Sequence, residues 1–330
     1  MSLSTPCSLQ SSAVGEPLAG TAPTARTWIV VEQTGPWGRD VLVDSLLPEV
    51  AKARLQELKK AGAGVVLCRR RGAGEARPAD GRGEADRPDA PHHVYVARTA
   101  AGGQFMREGV LHDLDEIGNW DVESLLAGEL PPLGSAATQP ALFICTHSRR
   151  DACCAVHGRA LVSSVVDRAP AELVDRIWEC SHIGGHRFAP VTLSLPSGTV
   201  HGRCSVDEGL EVLGRMSAGR VLPSRMRGRT CFPQPLQSAD IAVRDLIEED
   251  ADDALDVLVV TGGRAVPVDS GWPLPLDRVL VEVRHQDGRA WHAEVSAVAD
   301  DVMRAESCGK DPAPVHSWVV TGIEPVTSWA

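Results

Sequence analysis

Residues 141–202 read ALFICTHSRRDACCAVHGRALVSSVVDRAPAELVDRIWECSHIGGHRFAPVTLSLPSGTVHG, and their reading decides the fold. Ala141–Cys145 is a short apolar run of strand type. Asp151 caps a helix predicted over Cys153–Asp167, with Val156, Leu161, Val162, Val165 and Val166 as its apolar face. Val174–Cys180 is the next strand, and Ser181–Phe188 a loop holding two glycines. Val191–Leu195 and Thr199–Arg203 flank Pro196-Ser197-Gly198 as a hairpin. Asp207–Met216 is a helix.

The order β-α-β-β-β-α is that of a thioredoxin-like unit. Its element ends carry the chemistry. The stretch holds five of the eleven histidines (His147, His157, His182, His186, His201) and four of the nine cysteines (Cys145, Cys153, Cys154, Cys180). Thiolate sulfur and neutral imidazole nitrogen are ligands for zinc and for iron–sulfur clusters. Cys145 ends a strand and Cys154 opens a helix, so the loop between them folds both sulfurs towards one place, near the positive end of the helix dipole. After 27 intervening residues comes His182-Ile-Gly-Gly-His186. Gly184 and Gly185 make a helix there improbable and suit a loop that wraps closely round a cofactor. The His182/His186 spacing fits zinc, whereas eight residues between Cys145 and Cys154 is wider than a zinc knuckle. A Rieske-type reading through Cys145-Thr-His147 and Cys154-Ala-Val-His157 leaves only six residues between His147 and Cys154. The spacing therefore favours His182 and His186, with His147 and His157 outside the ligand set.

Working outward, Trp28–Glu32 and Gly64–Arg69 are strands, and Pro48–Ala61 is a helix with Val50, Leu55 and Leu58 on one face. This suggests a βαβ unit. Val94–Arg98 and Gln104–Leu111 are short strands, and Asp115–Leu126 is helical. The division expected is a partly ordered arm over 1–26, an N-terminal α/β domain over 27–130 with a mobile polar insertion at 70–90, a thioredoxin-like domain over 141–226 and a C-terminal α/β region over 227–330. In that last region a helix starts near Ser238, strands fall at Leu255–Thr261, Arg278–Arg284, Ala290–Val298 and Ser317–Thr321, and Ser307-Cys308-Gly309 opens a loop. No internal repeat of fixed short period is visible. The fold class is α/β (α+β).

Net charge is −11, which argues against nucleic acid or an anionic membrane as the main partner. No apolar run is long enough to span a membrane and the first residues lack the features of a signal peptide, so a cytoplasmic protein is expected. In a reducing compartment the cysteines are metal-binding, redox-active or buried rather than disulfide-bonded. Cys7, Cys68, Cys180 and Cys204 default to buried structural thiols, as do Cys231 and Cys308, although those two could meet. There is no nucleophile elbow, phosphate-binding loop or dinucleotide fingerprint.

The segments CTHSRRDACC and SHIGGHRFA, with CSLQSSAVGEPLAGTAP and VEQTGPWGRD, resemble the sucrase/ferredoxin-like family over roughly Cys7 to Arg229, and more loosely at SCGKDP. The resemblance implies a thioredoxin-like ferredoxin with a 2Fe–2S cluster on Cys145, Cys154, His182 and His186. Cys153, adjacent to Cys154, departs from the pattern and leaves a swap of ligand open. No pair of glycosidase carboxylates supports a sucrase activity. The function implied is one-electron transfer, as a carrier or as the cluster module of a reductase, with an unidentified redox partner protein or reductant. Two other readings use the same residues: a structural-zinc interaction protein, and a thiol-based redox enzyme with Cys153 or Cys154 as nucleophile. The absence of a thioredoxin-type C-x-x-C weakens the last.

Overall fold

The computed structural model describes residues 5–72, 90–268 and 277–326; most of the polar insertion expected at 70–90 lies outside the described residues. In chain order the elements are α1 (Cys7–Ala13), β1 (Thr27–Glu32), α2 (Val41–Asp44), α3 (Glu49–Lys60), β2 (Gly64–Arg69), β3 (His92–Arg98), β4 (Phe105–Leu111), α4 (Val122–Ala127), β5 (Ser135–Ala136) and β6 (Ala141–Cys145). There follow α5 (Arg159–Arg168), α6 (Ala171–Val174), β7 (Ile177–Cys180), β8 (Val191–Leu195), β9 (Thr199–Gly202), α7 (Val206–Ser217), β10 (Met226–Arg229) and α8 (Gln234–Ile247). The chain ends in β11 (Leu255–Thr261), β12 (Arg264–Val266), β13 (Arg278–His285), β14 (Ala290–Ala305) and β15 (Pro312–Pro325). The fold is α/β, and no helix among the described residues is long and apolar enough to cross a membrane.

Ten strands form one sheet in the order β10-β9-β8-β6-β7-β2-β1-β3-β4-β5. The expected boundary at 131–140 is thus crossed by a continuous sheet. The sheet contains a repeat of topology that the sequence does not display. In the first half β1 pairs parallel with β2 and antiparallel with β3, which pairs with β4. In the second half β6 pairs parallel with β7 and antiparallel with β8, which pairs with β9. The halves meet where β2 and β7 run antiparallel, Cys68 opposite Cys180 and Arg69 opposite Glu179. Antiparallel pairing of equivalent strands is what a local twofold relation produces. Glu32 faces Cys68 in the first half as Cys145 faces Cys180 in the second, so the first half has a carboxylate where the second has a candidate ligand.

Strand alternation sorts the side chains into layers. Ile29, Val31, Leu142 and Ile144 face the helices, while Trp28, Val30, Phe143 and Cys145 face the opposite side. On the helical side Ala51, Leu55 and Leu58 of α3 are buried and Val50 is exposed, one position away from the face expected. Full burial of each leucine is worth about 1.5–3 kcal/mol. Helix α7 begins with a Ser205–Glu208 capping box and buries Gly209, Val212, Leu213 and Met216 at helical spacing.

The other side of the sheet is covered by the N-terminal segment. Residues 5–26, expected as a partly ordered arm, instead carry α1 and bury Cys7, Ser11, Glu16, Ala22 and Ala25. Polar contacts supply what its low apolar content does not. Glu16 receives both Nε and Nη2 of Arg304 at 2.9 and 2.7 Å, Nε of Arg187 at 2.8 Å and the Ser11 hydroxyl at 2.6 Å. Strands β14 and β15 run further than the sequence suggested, as a long ribbon whose far end carries Arg304 to α1. The second sheet, β12-β11-β13-β14-β15, packs on α8, which starts earlier than expected, at Gln234.

Helix α8 also carries a fully buried ion triad. Arg229 donates to both Asp240 oxygens at 2.9 and 2.8 Å, and Arg244 Nε adds a contact of 3.2 Å. Arg244 also donates to the carbonyls of Ala251 and Asp252, and Arg229 to that of Leu255. Burial by itself would raise the Asp240 pKa, but the two guanidinium groups outweigh it and hold the carboxyl below the usual range. Asp240→Ala leaves two buried cations without their counter-charge and is expected to cost about 3–5 kcal/mol in denaturant unfolding. Because the folded pKa is depressed, this stabilisation is full above the unfolded value of about 4 and is lost as pH falls below it. Asp240→Asn is expected to lack that part of the acid slope.

Candidate metal centre

Strand β6 ends at Cys145, and the chain turns back into a helix at Asp151, whose Oδ1 accepts the Cys153 N–H at 2.8 Å. The first full turn, Cys154–Gly158, is π-helical and leads into α5. Adjacent helical residues diverge by about 100°. Cys154 therefore turns towards Cys145 while Cys153 turns away. The wider turn also takes Val156 off the apolar face, so it is exposed where the sequence pattern placed it inside. A Cβ on Gly158 would stand 1.9 Å from the Cys145 carbonyl oxygen. A residue without a side chain is what lets the helix lie against the end of β6.

The second pair of candidates enters from β7. The Ser181 N–H donates to the Leu67 carbonyl at 2.8 Å and its hydroxyl accepts the Leu67 N–H at 2.9 Å. His182 thus leaves the sheet at a determined point. Gly184 and Gly185 adopt φ of +118° and +72°, a region glycine enters without strain. The loop closes over Arg227, whose Nη1 donates to the Gly184 carbonyl at 2.8 Å and whose Nε donates to Thr21 Oγ1 at 3.0 Å. A Cβ on Gly185 would meet the same guanidinium at 2.3 Å.

Cys145, Cys154 and His182 each offer one ligand atom, all within 4.8 Å of one another. His182 Nδ1 is 3.9 Å from Cys154 Sγ. His186 stands just outside this trio, its ring centroid 5.1 Å from that of His182. Its Nε2 is 3.7 Å from Asp151 Oδ2, an ion-pair contact beyond hydrogen-bond range, while its Nδ1 is buried with no hydrogen-bond partner among the described residues.

The electrostatics suit ligation. A hydrogen bond from Cys154, then His182 and the His147 backbone N–H, draw the Cys145 thiol well below its ordinary range despite burial. The same hydrogen bond and burial push Cys154 up. A bound cation would displace the thiol protons of the pair. Burial lowers the His186 pKa against the pull of Asp151, favouring the neutral imidazole that metals need. Burial, then repulsion from Arg187, brings Arg227 down to about 9, while the negative sulfurs and Glu16 oppose the shift.

The other candidates lie elsewhere. His147 Nε2 bonds the Gly38 carbonyl at 2.8 Å, its Nδ1 is buried with no partner among the described residues, and burial lowers its pKa. His157 Nε2 is 3.2 Å from the Ser8 hydroxyl. Cys153 Sγ lies 3.6 Å from Cys7 and 3.4 Å from Cys308, and the Cys7 hydrogen bond chiefly brings its pKa to about 5. Cys308 therefore meets Cys7 and Cys153, not Cys231, which is buried in the core under the second sheet. Sequence reasoning passed over two residues of this centre. Asp151 was visible only as a helix cap. Arg227 carried a signal in retrospect: a charged residue inside a four-residue strand that is buried throughout.

The profile of the sucrase/ferredoxin-like family matches residues 18–228. "Altered inheritance of mitochondria protein 32" of Candida glabrata is 37% identical over 67 residues, 20% of this chain and 21% of that protein. The chain thus matches about a fifth of that relative's length. No solved structure matches it.

Gly158→Ala forces a methyl group against the Cys145 backbone, and overpacking of this kind costs about 1–3 kcal/mol. The expected result is a lower denaturant midpoint with an unchanged slope. Gly214→Ala, where a Cβ would meet nothing within 4 Å, is the control expected to leave the midpoint in place or raise it.

Proposed function

Because this chain belongs to the sucrase/ferredoxin-like family, we propose that it is a one-electron transfer protein, a carrier or the cluster module of a reductase. On this reading a 2Fe–2S cluster is held by Cys145, Cys154, His182 and His186. The observation that carries the proposal is the gathering of two buried thiols and the His182 imidazole within 4.8 Å, with the buried Nδ1 of His186, which has no hydrogen-bond partner among the described residues, beside them. A two-iron core separates a pair of sulfurs from a pair of nitrogens, so the four donors need not converge on one point. Bound there, such a group would supply reversible one-electron chemistry at a potential raised by the two neutral ligands.

The chain's own residues provide the rest. On binding, Cys145 and Cys154 would release their thiol protons and act as thiolates. Arg227 offsets their charge from within the protein. Asp151, 3.7 Å from His186 Nε2, favours a proton there, and negative charge gained at the centre would favour protonation of the imidazoles further. His182 lines a cleft shared with Arg39, Lys59, His147 and Arg150. Three cations against the one carboxylate of Asp40 make this rim net basic, where a redox partner with an acidic face, or an anionic reductant, would approach the centre.

Protein purified without oxygen is expected to contain about two iron and two acid-labile sulfide per chain and to be red-brown. Bound zinc with no sulfide would overturn the proposal in favour of a structural-zinc site. A second expectation concerns the ligands individually. His182→Cys and His186→Cys are expected to keep a cluster, lower its potential by adding negative charge, and flatten its fall with rising pH. His147→Ala and His157→Ala are expected to do neither. Redox titration across pH reads all four variants, and the opposite pattern would reassign the ligands.

A further inference from the structure

Cys153 opens a second group of donors, of which the electron-transfer reading uses only Asp151, beside His186. Its sulfur forms a triangle with those of Cys7 and Cys308, with edges of 3.6 Å (Cys7–Cys153), 3.4 Å (Cys153–Cys308) and 3.6 Å (Cys7–Cys308). Asp151 lies over the Cys7 corner, its oxygens 3.8 and 3.9 Å from Cys7 Sγ. Each of the four residues offers an atom within 4.8 Å of the others, and three of the four are buried. They come from α1, the turn after β6 and the turn between β14 and β15.

The edge lengths discriminate between ions. Tetrahedral zinc with Zn–S bonds of about 2.3 Å requires its thiolates about 3.8 Å apart. The triangle is already within a few tenths of an ångström of that. A four-iron cluster distributes its thiolates over separate irons and needs them much further apart. The surroundings are those of bound thiolates. The Ser8 hydroxyl donates to Cys153 Sγ at 3.2 Å, and the backbone N–H groups of Ser8 and Cys7 point at the sulfurs of Cys153 and Cys308. Asp151 is held by N–H groups of Cys153 and Cys308 at 2.8 and 2.9 Å and by the Ser307 hydroxyl at 3.0 Å.

We infer that Cys7, Cys153, Cys308 and Asp151 form a second, mononuclear site that binds one zinc ion. Binding displaces the thiol protons into solvent and changes no oxidation state. The ion clasps the N-terminal segment, the helix that supplies Cys154 and the C-terminal ribbon in one place. It also touches the electron-transfer centre through a single carboxylate, since Asp151 faces the zinc thiolates and lies 3.7 Å from His186 Nε2.

The test is elemental analysis of the full chain and of two variants, with cobalt as an optical probe. The wild type is expected to carry about one zinc per chain. Cys308→Ala, on a half-exposed turn, is expected to lose the zinc and keep its iron and sulfide. Cys154→Ala is expected to do the reverse. Co²⁺ added to metal-free Cys154→Ala, which lacks the first centre, is expected to give the intense visible bands of tetrahedral cobalt thiolate, absent when Cys308→Ala is combined with it. Hydrogen exchange over residues 7–13 is expected to quicken when zinc is removed. Equal zinc content in wild type and Cys308→Ala, a disulfide between any two of the three cysteines in native protein, or no cobalt bands in Cys154→Ala would overturn the assignment. Zinc held at Cys145 and Cys154 in place of a cluster would add equally to wild type and Cys308→Ala, so the difference between them separates failure of this assignment from failure of the cluster reading.

Discussion

The ten-stranded sheet depends on a seam two residue pairs long. Strands β2 and β7 meet only at Cys68–Cys180 and Arg69–Glu179, yet everything at the candidate centre is placed from there. The seam is reinforced by the Ser181–Leu67 backbone and hydroxyl bonds and by Arg69, which donates to Glu179 at 2.9 Å. Thr146 joins from the other side: its N–H reaches the Cys180 carbonyl and its hydroxyl the Glu179 carboxylate, each at 3.0 Å. The residues just beyond these bonds on either chain are the candidate ligands: Cys145 precedes Thr146 and His182 follows Ser181. A short junction saturated with hydrogen bonds does here what a long one would do by repetition, because buried backbone groups left unpaired are costly.

A second constraint is charge buried in pairs. Glu16, held by Arg304 and Arg187, joins α1 to the C-terminal ribbon and to the loop of His186. The Asp240 triad holds α8 on β10. Such pairs add little net stability compared with apolar packing, but a mispaired alternative would strand a charge away from water. They therefore select one arrangement of segments that apolar contacts alone would leave loosely specified. In a chain whose first 26 residues are mostly small and polar, this is how the N-terminal segment becomes part of the core.

The twofold relation within the sheet places the chemistry in one half. Glu32 occupies the position equivalent to Cys145 and itself serves the fold, accepting the His93 N–H at 3.0 Å. The first half buttresses the centre through Trp37, packed edge-on against His147 at 5.8 Å, and through the Gly38 carbonyl. One copy of the topology thus supplies the candidate ligands and the other supplies a wall.

The sequence by itself determined the local alphabet of this protein. Apolar runs bounded by turn residues marked most strands, because period and β-branching are local properties. The Cys145, Cys154, His182 and His186 pattern was legible for the same reason, since each residue sits where an element ends and a side chain is free to turn to chemistry. Only the tertiary structure decided how those elements share a sheet, because pairing between β2 and β7 joins residues more than a hundred positions apart and leaves no periodic trace. Nor could spacing reveal that the adjacent cysteines part company. That depends on a π-helical turn and on the arrival of Cys7 and Cys308 from opposite ends of the chain. Val156 and Val50 were misplaced by their patterns because a residue's face depends on where its helix begins and how tightly it is wound. Tertiary packing sets both.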